Sequence, residues 1–319
     1  LHCQCSGNQS ERMEIRVAVD GSVAIYAGTV STGQGHETMF AQMASGWLGV
    51  PLAHIRVFQG DTDRSLYGRG SYAQRSMIAG GSALRRAADA VIDKGRRLAA
   101  FMMEAAVADI EFAAGRFLIR GTDRALKWPA VAQRAYAGAG LPPELGIGLD
   151  GVGAHPGPFA FPNGCIVCEV EVDPATGRVT PRAITSVDDV GAAVNPLTLA
   201  GQLHGAIAQG LGEALGEDLR YDRHSGQLVT GTFMDYAMPR ADDVPPLADA
   251  LLSVPTAGND LGVKGGSEAG NVGAPAAIIN AIVDALHGVG VDDVALPATS
   301  ERVWRAIRAR SSDPSQHER

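Results

Sequence analysis

Glycine-dense loops that run directly into helical patterns constrain this chain more than any other feature. One such loop covers residues 28–38 and precedes a helical run at residues 39–48. Another covers residues 262–273 and precedes the apolar run 276–286. Glycines permit positive φ and a close approach of backbone to a ligand, and the N–H groups at a helix start favour anions. These loops predict a fold that holds backbone against a bound molecule.

Strand and helix patterns follow one another without strict alternation. Two alternating apolar runs flank Asp20-Gly21, which is the strongest short-range signal for a β-hairpin. A long helix is predicted over residues 83–106, a strand over 165–172 and a glycine-bearing helix over 199–215. This mixed order favours an α+β fold over a doubly wound parallel sheet.

The chain is long enough for two lobes that share an interface. It has 319 residues, of which 45% are hydrophobic, and can bury a sizeable core. Residues 138–163 are rich in Gly and Pro, which marks the predicted boundary. We expect a first lobe at residues 8–150, a second lobe at 151–308 and a disordered tail at 309–319.

Charge and hydropathy exclude several classes of partner. The net charge of −8 gives no positive field that would attract nucleic acid or anionic lipid. No run approaches eighteen consecutive apolar residues, and the pattern of a signal peptide is absent from the first residues given. We therefore expect a cytoplasmic protein with no nucleic-acid and no membrane partner. Because the sequence begins at Leu1 rather than Met, we also expect a fragment or a processed subunit.

The four cysteines form two close pairs, Cys3/Cys5 and Cys165/Cys168. The second pair lies in an alternating strand pattern that sends the two side chains to opposite faces, which is the wrong disposition for a shared metal. The spacing also differs from the runs that usually bind iron–sulfur clusters. Any such cluster is therefore expected on a partner.

Glu268 is the candidate catalytic base. It is the one carboxylate in the glycine loop 262–273, and Pro275 is expected in the first turn of the helix that follows. A Glu in a loop is more often solvated than catalytic, so the assignment depends on the other loops.

Two further segments suit the edges of a phosphate or a heterocycle. Residues 33–36 place backbone N–H groups at a helix start, although they match no nucleotide motif. A tight turn that caps the helix is the competing interpretation, and an isolated His36 is more often structural than a metal ligand. Residues 74–76 add Gln, Arg and Ser donors.

The glycine-bearing helix carries Gln202 and Gln209. Glycine costs helix stability, so we expect a close approach of another group at the helix's glycines, which are Gly201, Gly205, Gly210 and Gly212.

Together these segments resemble the large, molybdopterin-binding subunit of the xanthine dehydrogenase, aldehyde oxidase and carbon monoxide dehydrogenase family. The resemblance keeps its order from about residue 8 to about residue 308. It rests on motifs at residues 33–38, 60–63, 72–76, 161–165, 169–177, 189–196, 201–210, 235–239, 262–270 and 296–304.

The resemblance implies the two α/β lobes of the molybdopterin-binding domain of molybdenum hydroxylases. It implies molybdopterin cytosine dinucleotide, whose molybdenum carries oxo and sulfido ligands and takes no ligand from the protein. It also implies three partners, which are the N-terminal half of the large subunit, an iron–sulfur subunit and an FAD subunit. Iron–sulfur clusters and FAD are then expected only on those partner subunits.

The resemblance further implies residue roles. Glu268 would lie beside the metal and remove a proton so that a water-derived oxygen can attack an electron-poor carbon of a small-molecule substrate. The residues that match the family's cofactor contacts are Gly33, Gln34, Gly35, His36, Ala73, Gln74, Ser76 and Gln202.

Two departures from the family pattern give an alternative. Ser267 stands where the family usually has a second glycine, which adds a Cβ and a hydroxyl beside the base. The family's first half is absent from the sequence given. The leading hypothesis is a molybdenum hydroxylase component that acts on an aldehyde or an N-heteroaromatic carbon. The alternative is a non-catalytic cofactor-binding scaffold or a degenerate remnant. A hydrolase or nucleotide-binding enzyme is excluded because the chain has neither a nucleophile elbow nor a Walker lysine.

Overall fold

The computed structural model describes residues 1–7, 10–157 and 159–311. Within these residues the helices are α1 (His36–Leu48), α2 (Ser82–Met103), α3 (Trp128–Tyr136), α4 (Pro196–Leu215), α5 (Ala269–Leu286) and α6 (Ser300–Ser311). The strands are β1 (His2–Cys3), β2 (Glu11–Val17), β3 (Val23–Ala27), β4 (Ile55–Gln59), β5 (Ile110–Ala113), β6 (Arg116–Ile119), β7 (Ala125–Lys127), β8 (Gly151–His155), β9 (Asn163–Asp173), β10 (Arg178–Asp189) and β11 (Leu247–Leu251).

The first sheet has the strand order β4-β3-β2-β8. The predicted hairpin is confirmed, because β2 and β3 pair antiparallel and Val17 faces Val23 across the turn. Side chains of β2 alternate between buried and less buried positions, as expected when one face of a sheet covers a core. Helix α2 packs on β2 and β8, and α1 packs beside β4. The small antiparallel sheet β5-β6-β7 extends this first core.

The second sheet has the order β1-β9-β10-β11. Strands β9 and β10 form a long antiparallel pair, and β11 adds a parallel edge. Helices α4 and α5 pack on each other, and α5 packs on β9. A second hydrophobic core fills this space. Two sheets that each carry helices confirm the predicted α+β class.

The chain passes between the two sheets twice. Strand β1 pairs with β9 in the second sheet, and the chain then enters β2 in the first sheet. It returns after β8, which pairs antiparallel with β2. Residues 151–155, which the predicted boundary assigns to the second lobe, therefore hydrogen-bond within the first sheet. The sequence did not predict β8, because Gly151 and Gly153 lie within it and resemble the glycines of a loop.

Two local expectations differ from the structure. Pro275 was expected in the first helical turn, but α5 begins at Ala269 and Pro275 lies inside it. The helix tolerates this proline where it packs against Gly210 of α4, so tertiary packing outweighs the local cost of the missing N–H. Helix α6 continues to Ser311, so residues 309–311 of the predicted tail are helical. Residues 312–319 lie outside the described residues.

The glycines of α4 fall into two groups. A Cβ at Gly210 would meet Ala274 and Pro275, and a Cβ at Gly212 would meet Glu217 and Pro239. At Gly201 and Gly205 a Cβ would enter open space. The expected close approach is therefore present at two of these positions, and the expectation was wrong for the other two within this chain.

Residues 269–289 are the one helical stretch of the described chain that is long and apolar enough to cross a membrane. Length and composition alone support that possibility, and 28% of the stretch is buried. The stretch contacts α4 and β9 and contributes Ile278 and Ile282 to the second core. It therefore serves as a packing helix of this fold.

Two glycines test how closely α2 sits on the first sheet. A Cβ at Gly153 of β8 would overlap the backbone of Ala83 and Ala87, whereas a Cβ at Gly46 of α1 would meet no atom within 4 Å. We expect Gly153→Ala to lower the free energy of unfolding by roughly 1–3 kcal/mol through overpacking. Gly46→Ala should raise it by about 0.5–1 kcal/mol through helix propensity. Denaturant titration of both variants checks this, and an unchanged midpoint for Gly153→Ala would contradict the packing described.

Candidate functional site

A cleft of about 410 Å³ is lined by loops from both halves of the chain. Seven of the nine predicted site residues line it, namely Gly33, Gln34, His36, Gln74, Ser76, Gln202 and Glu268. The remaining two are Gly35 and Ala73. Gly35 is the N-cap of α1 with φ 75°, and the carbonyl of Ala73 accepts a hydrogen bond from the Gly7 N–H at 2.9 Å. Both lie next to residues that line the cleft.

The loop before α1 forms one wall. The side-chain oxygen of Gln34 accepts hydrogen bonds from the Ser31 hydroxyl and from the Thr32 N–H. These hydrogen bonds hold the oxygen within its own loop. Opposite this loop, Gln202 of α4 donates from Nε2 to the carbonyl of Gly33 at 3.4 Å. The two walls therefore touch at the level of Gly33.

The loop before α2 forms a second wall and carries backbone strain. Ala73 and Gln74 have φ of 45° and 60°, a left-handed conformation that is uncommon for residues other than glycine. Arg75, which is fully buried, holds this turn through its ion pair with Glu11 at 2.7 Å. Ser76 donates to the Ser71 hydroxyl at 2.9 Å. Strain of this kind persists where the surrounding structure over-determines it, and it is concentrated at functional sites.

The loop before α5 places Glu268 in the cleft. Glu268 is the N-cap of α5 and the only Asp or Glu that lines the cleft in the part of the chain that the structure describes. The loop is anchored upstream, where the Lys264 ammonium donates to the Asp189 carboxylate. Burial raises the pKa of Asp189, but hydrogen bonds from Lys264 and from the N–H groups of Gly191 and Val254 outweigh this and lower the pKa below its ordinary value.

Gly265 allows this loop to approach the wall that carries Gln74. Its φ is +88°, and a Cβ there would overlap the Gln74 side chain. Ser267, by contrast, is not among the non-glycine residues with positive φ in the described chain. The serine that replaces a family glycine therefore imposes no left-handed strain beside the base.

Sequence reasoning missed several lining residues, such as Ser71 and Thr198, and it missed Gln4, which contacts two predicted site residues. Its side-chain N–H donates to Oε2 of Glu268, and its side-chain oxygen accepts from the Gln74 amide. The first ten residues show neither periodicity nor a motif that would signal this contact, which spans 264 positions.

His36 is 3% exposed and lines the cleft from the first turn of α1. Burial lowers the pKa of its imidazole below 6.5, and a hydrogen bond with the Gln59 side chain, at 3.3 Å, partly offsets this shift. The imidazole is therefore neutral near pH 7, which makes it a hydrogen-bonding group rather than a cation.

The cleft fits a neutral heterocycle that carries hydrogen-bonding edges. Gln74 is 7% exposed, and its Oε1 is buried without a hydrogen-bond partner in the part of the chain that the structure describes. A buried acceptor of this kind is costly unless a donor completes it. Amide and hydroxyl groups from Gln34, Ser76 and Gln202 surround the same space. A pterin offers ring N–H and amino donors of the type that Gln74 Oε1 lacks.

Comparison with known proteins agrees with this chemistry. Residues 3–245 match the family described as the molybdopterin cofactor-binding domain. The matched range holds the eight predicted cofactor-binding residues and ends before Glu268.

Relatives align over most of the chain. It is 36% identical over 299 residues to the carbon monoxide dehydrogenase large chain of Hydrogenophaga pseudoflava, covering 92% of this chain and 37% of that protein. It is 36% identical over 300 residues to the nicotine 6-hydroxylase large subunit of Paenarthrobacter nicotinovorans, covering 92% and 36%. A crystal structure of a Cu,Mo-CO dehydrogenase superposes with a TM-score of 0.90 and 30% identity, over 97% of this chain and 40% of that chain. The chain thus spans little more than a third of the length of these curated relatives.

Burial of His36 predicts a pH-dependent stability. Below pH 6.5 the unfolded chain binds a proton that the folded His36 resists, so stability should fall as the pH drops from 7.5 through 6.5 towards the lowered folded pKa. His155, whose pKa burial also lowers, adds a slope of the same sign. We therefore expect His36→Gln to reduce this dependence without abolishing it, as measured by denaturant titration between pH 7.5 and 5.5. An NMR titration of His36 with a midpoint at or above 6.5 would refute the assignment.

Proposed function

The chain belongs to the molybdopterin cofactor-binding domain of the xanthine dehydrogenase, aldehyde oxidase and carbon monoxide dehydrogenase family, and from this premise we propose that it carries the catalytic base of a molybdenum hydroxylase. The reaction proposed is the hydroxylation of an aldehyde or an N-heteroaromatic carbon with oxygen derived from water. One observation carries the proposal, namely that, among the described residues, Glu268 is the only carboxylate in a cleft whose other polar side chains are neutral.

Several residues would hold the cofactor. Gln74 Oε1 supplies a buried acceptor, the Gln202 amide and the backbone around Gly33 face it from the other wall, and Ser76 adds a hydroxyl. When bound, the molybdenum of the cofactor would supply Lewis-acid and electron-accepting chemistry. The cytosine dinucleotide form is our further proposal.

The chain's own residues then have two tasks. Glu268 receives a proton at the carboxylate oxygen that Gln4 does not occupy. Met39, Met77 and Val190 give the cleft an apolar portion, which would strengthen electrostatic interactions inside once water is excluded. A positioned carboxylate contributes on the order of 10² to 10⁴ in rate by proton transfer.

The rest of the enzyme is proposed to lie on other polypeptides or on a missing part of this one. Because the chain spans 37% of the carbon monoxide dehydrogenase large chain, we propose that the N-terminal half of the large subunit completes the substrate pocket. An iron–sulfur subunit and an FAD subunit would carry electrons away, and the assembly would be cytoplasmic. The N-heteroaromatic substrate class takes support from the nicotine 6-hydroxylase relative.

The non-catalytic alternative requires a distorted loop at the base. The absence of Ser267 from the described residues with positive φ removes the main reason for expecting such distortion. The contact of Glu268 with Gln4 also argues for a carboxylate held in place. We therefore favour the catalytic hypothesis.

Glu268→Gln tests the proposal in the chain assembled with the rest of the large subunit and its partners. We expect kcat for oxidation of an aldehyde or N-heteroaromatic substrate to fall by about 10²- to 10⁴-fold, because the amide cannot take up the proton. Molybdenum and pterin contents should stay at the level of the unchanged protein. Glu301→Gln, in the exposed ion pair with Arg305 on α6, serves as the matched control and should retain full activity. A normal rate for Glu268→Gln would refute the role of the base, and an assembly without pterin would favour the scaffold hypothesis.

A further inference from the structure

The N-terminal segment, residues 1–7, connects two walls of the cleft. Its Gly7 N–H donates to the carbonyl of Ala73 at 2.9 Å, beside the strained turn. Its Ser6 hydroxyl donates to the carbonyl of Lys264 at 2.7 Å, in the loop that leads to Glu268. The segment therefore fixes the separation of these two loops.

The ends of the segment are themselves anchored in the second sheet. His2 and Asp188, whose side chains are almost completely buried, pair at 3.0 Å. The backbone N–H of Gln4 donates to the carbonyl of Pro162 at 3.0 Å, and that of Ser6 donates to Ala160 at 2.8 Å. The backbone of Gln4 is thus held on both sides before its side chain reaches Gln74 and Glu268.

The side chain of Gln4 lies between Gln74 and Glu268. Its Nε2 donates to Oε2 of Glu268, and its Oε1 accepts from Nε2 of Gln74. A carboxylate only accepts hydrogen bonds, whereas each amide has one donating and one accepting end. The carboxylate therefore dictates the orientation of the Gln4 amide, and Gln4 in turn dictates the orientation of the Gln74 amide.

This series of hydrogen bonds explains why Oε1 of Gln74 points away from Gln4. Once Nε2 of Gln74 has turned towards Gln4, its Oε1 is left without a hydrogen-bond partner among the described residues. That oxygen lies beside Gly265, and a donor from a ligand bound in the cleft would complete it. The three side chains form one directed series of hydrogen bonds from the cofactor-binding wall to the base.

We propose that Gln4 is a positioning residue, which fixes the carboxylate of Glu268 by occupying Oε2 and sets the amide of Gln74 to accept from the ligand. The role at the base rests on the proposed function of Glu268. Oε1 of Glu268 is then the oxygen that remains for the proton. Gln4 itself is not among the described residues that line the cleft.

Gln4→Met is the sharpest test, because methionine has a similar length but lacks both the amide donor and the amide acceptor. In the fully assembled, cofactor-containing enzyme we expect kcat to fall by about tenfold, as for the loss of one charge-assisted hydrogen bond. KM should stay within about twofold, and the molybdenum and pterin contents should be unchanged. Gln227→Met, in the turn between Asp222 and Leu228, is the matched control and should leave both constants unaltered.

A second measurement does not depend on turnover. Hydrogen exchange at the amides of Ala269 and Val272, which begin α5 beside Glu268, should be about tenfold faster in Gln4→Met. In a Glu268→Met background the same Gln4 substitution should produce no further increase, because the partner is already gone.

The outcomes separate the two proposals. Faster exchange that depends on Glu268, together with the loss in kcat, supports the positioning role. Unchanged exchange and unchanged kcat in Gln4→Met overturn it. Equal loss of kcat in Gln4→Met and in the Gln227→Met control would also overturn it. If the unsubstituted assembly contains no molybdenum or shows no turnover, the proposed function fails, and the Glu268-dependent exchange still decides whether Gln4 holds that carboxylate.

Discussion

The buried ion pair between Arg75 and Glu11 is the interaction on which the cleft depends. Both side chains are fully buried, and the guanidinium also donates to the carbonyls of Gly70 and Ser10. Breaking such a pair by removing one partner costs roughly 3–5 kcal/mol, because a charge is left buried and unpaired. The pair joins the first strand of the first sheet to the turn at Ala73 and Gln74. The strained φ values of that turn persist because Arg75, the next residue, cannot move.

Much of the fold could be predicted from local sequence patterns. The hairpin at Asp20-Gly21, the helix closed by Gly49 and the long helix before residue 106 all follow from signals within a few positions of one another. The location of β8 could not be predicted, because its glycines allow the strand to pack against α2 and do not form a loop. The position of Pro275 was predicted wrongly for a related reason. Packing against α4 stabilises α5 around this proline, which would otherwise interrupt the helix.

The candidate site shows the same division. Seven of the residues that line the cleft were predicted, because the segments that hold them carry their own glycine and amide pattern. Gln4 was not predicted, since a polar residue in an aperiodic terminal stretch carries no sign of a partner at position 268. Ser267 gave a reason for the non-catalytic alternative, but it is not among the non-glycine residues with positive φ in the described structure. Contacts between distant segments and actual backbone angles are the two quantities that pattern reasoning could not supply.

The hydrogen-bond directions connect the chemistry of the cleft to its architecture. If the acid at position 268 were replaced by a group that donates, the Gln4 amide would have to turn, and the Gln74 amide would turn with it. The acceptor at Gln74 would then become a donor, and the same wall would prefer a different ligand edge. The carboxylate therefore has a structural effect at the cofactor-binding wall as well as a proposed role in proton transfer. This coupling requires the N-terminal segment in its observed place, which is why the pairing of His2 with Asp188, far from the cleft loops in sequence, belongs to the same functional unit.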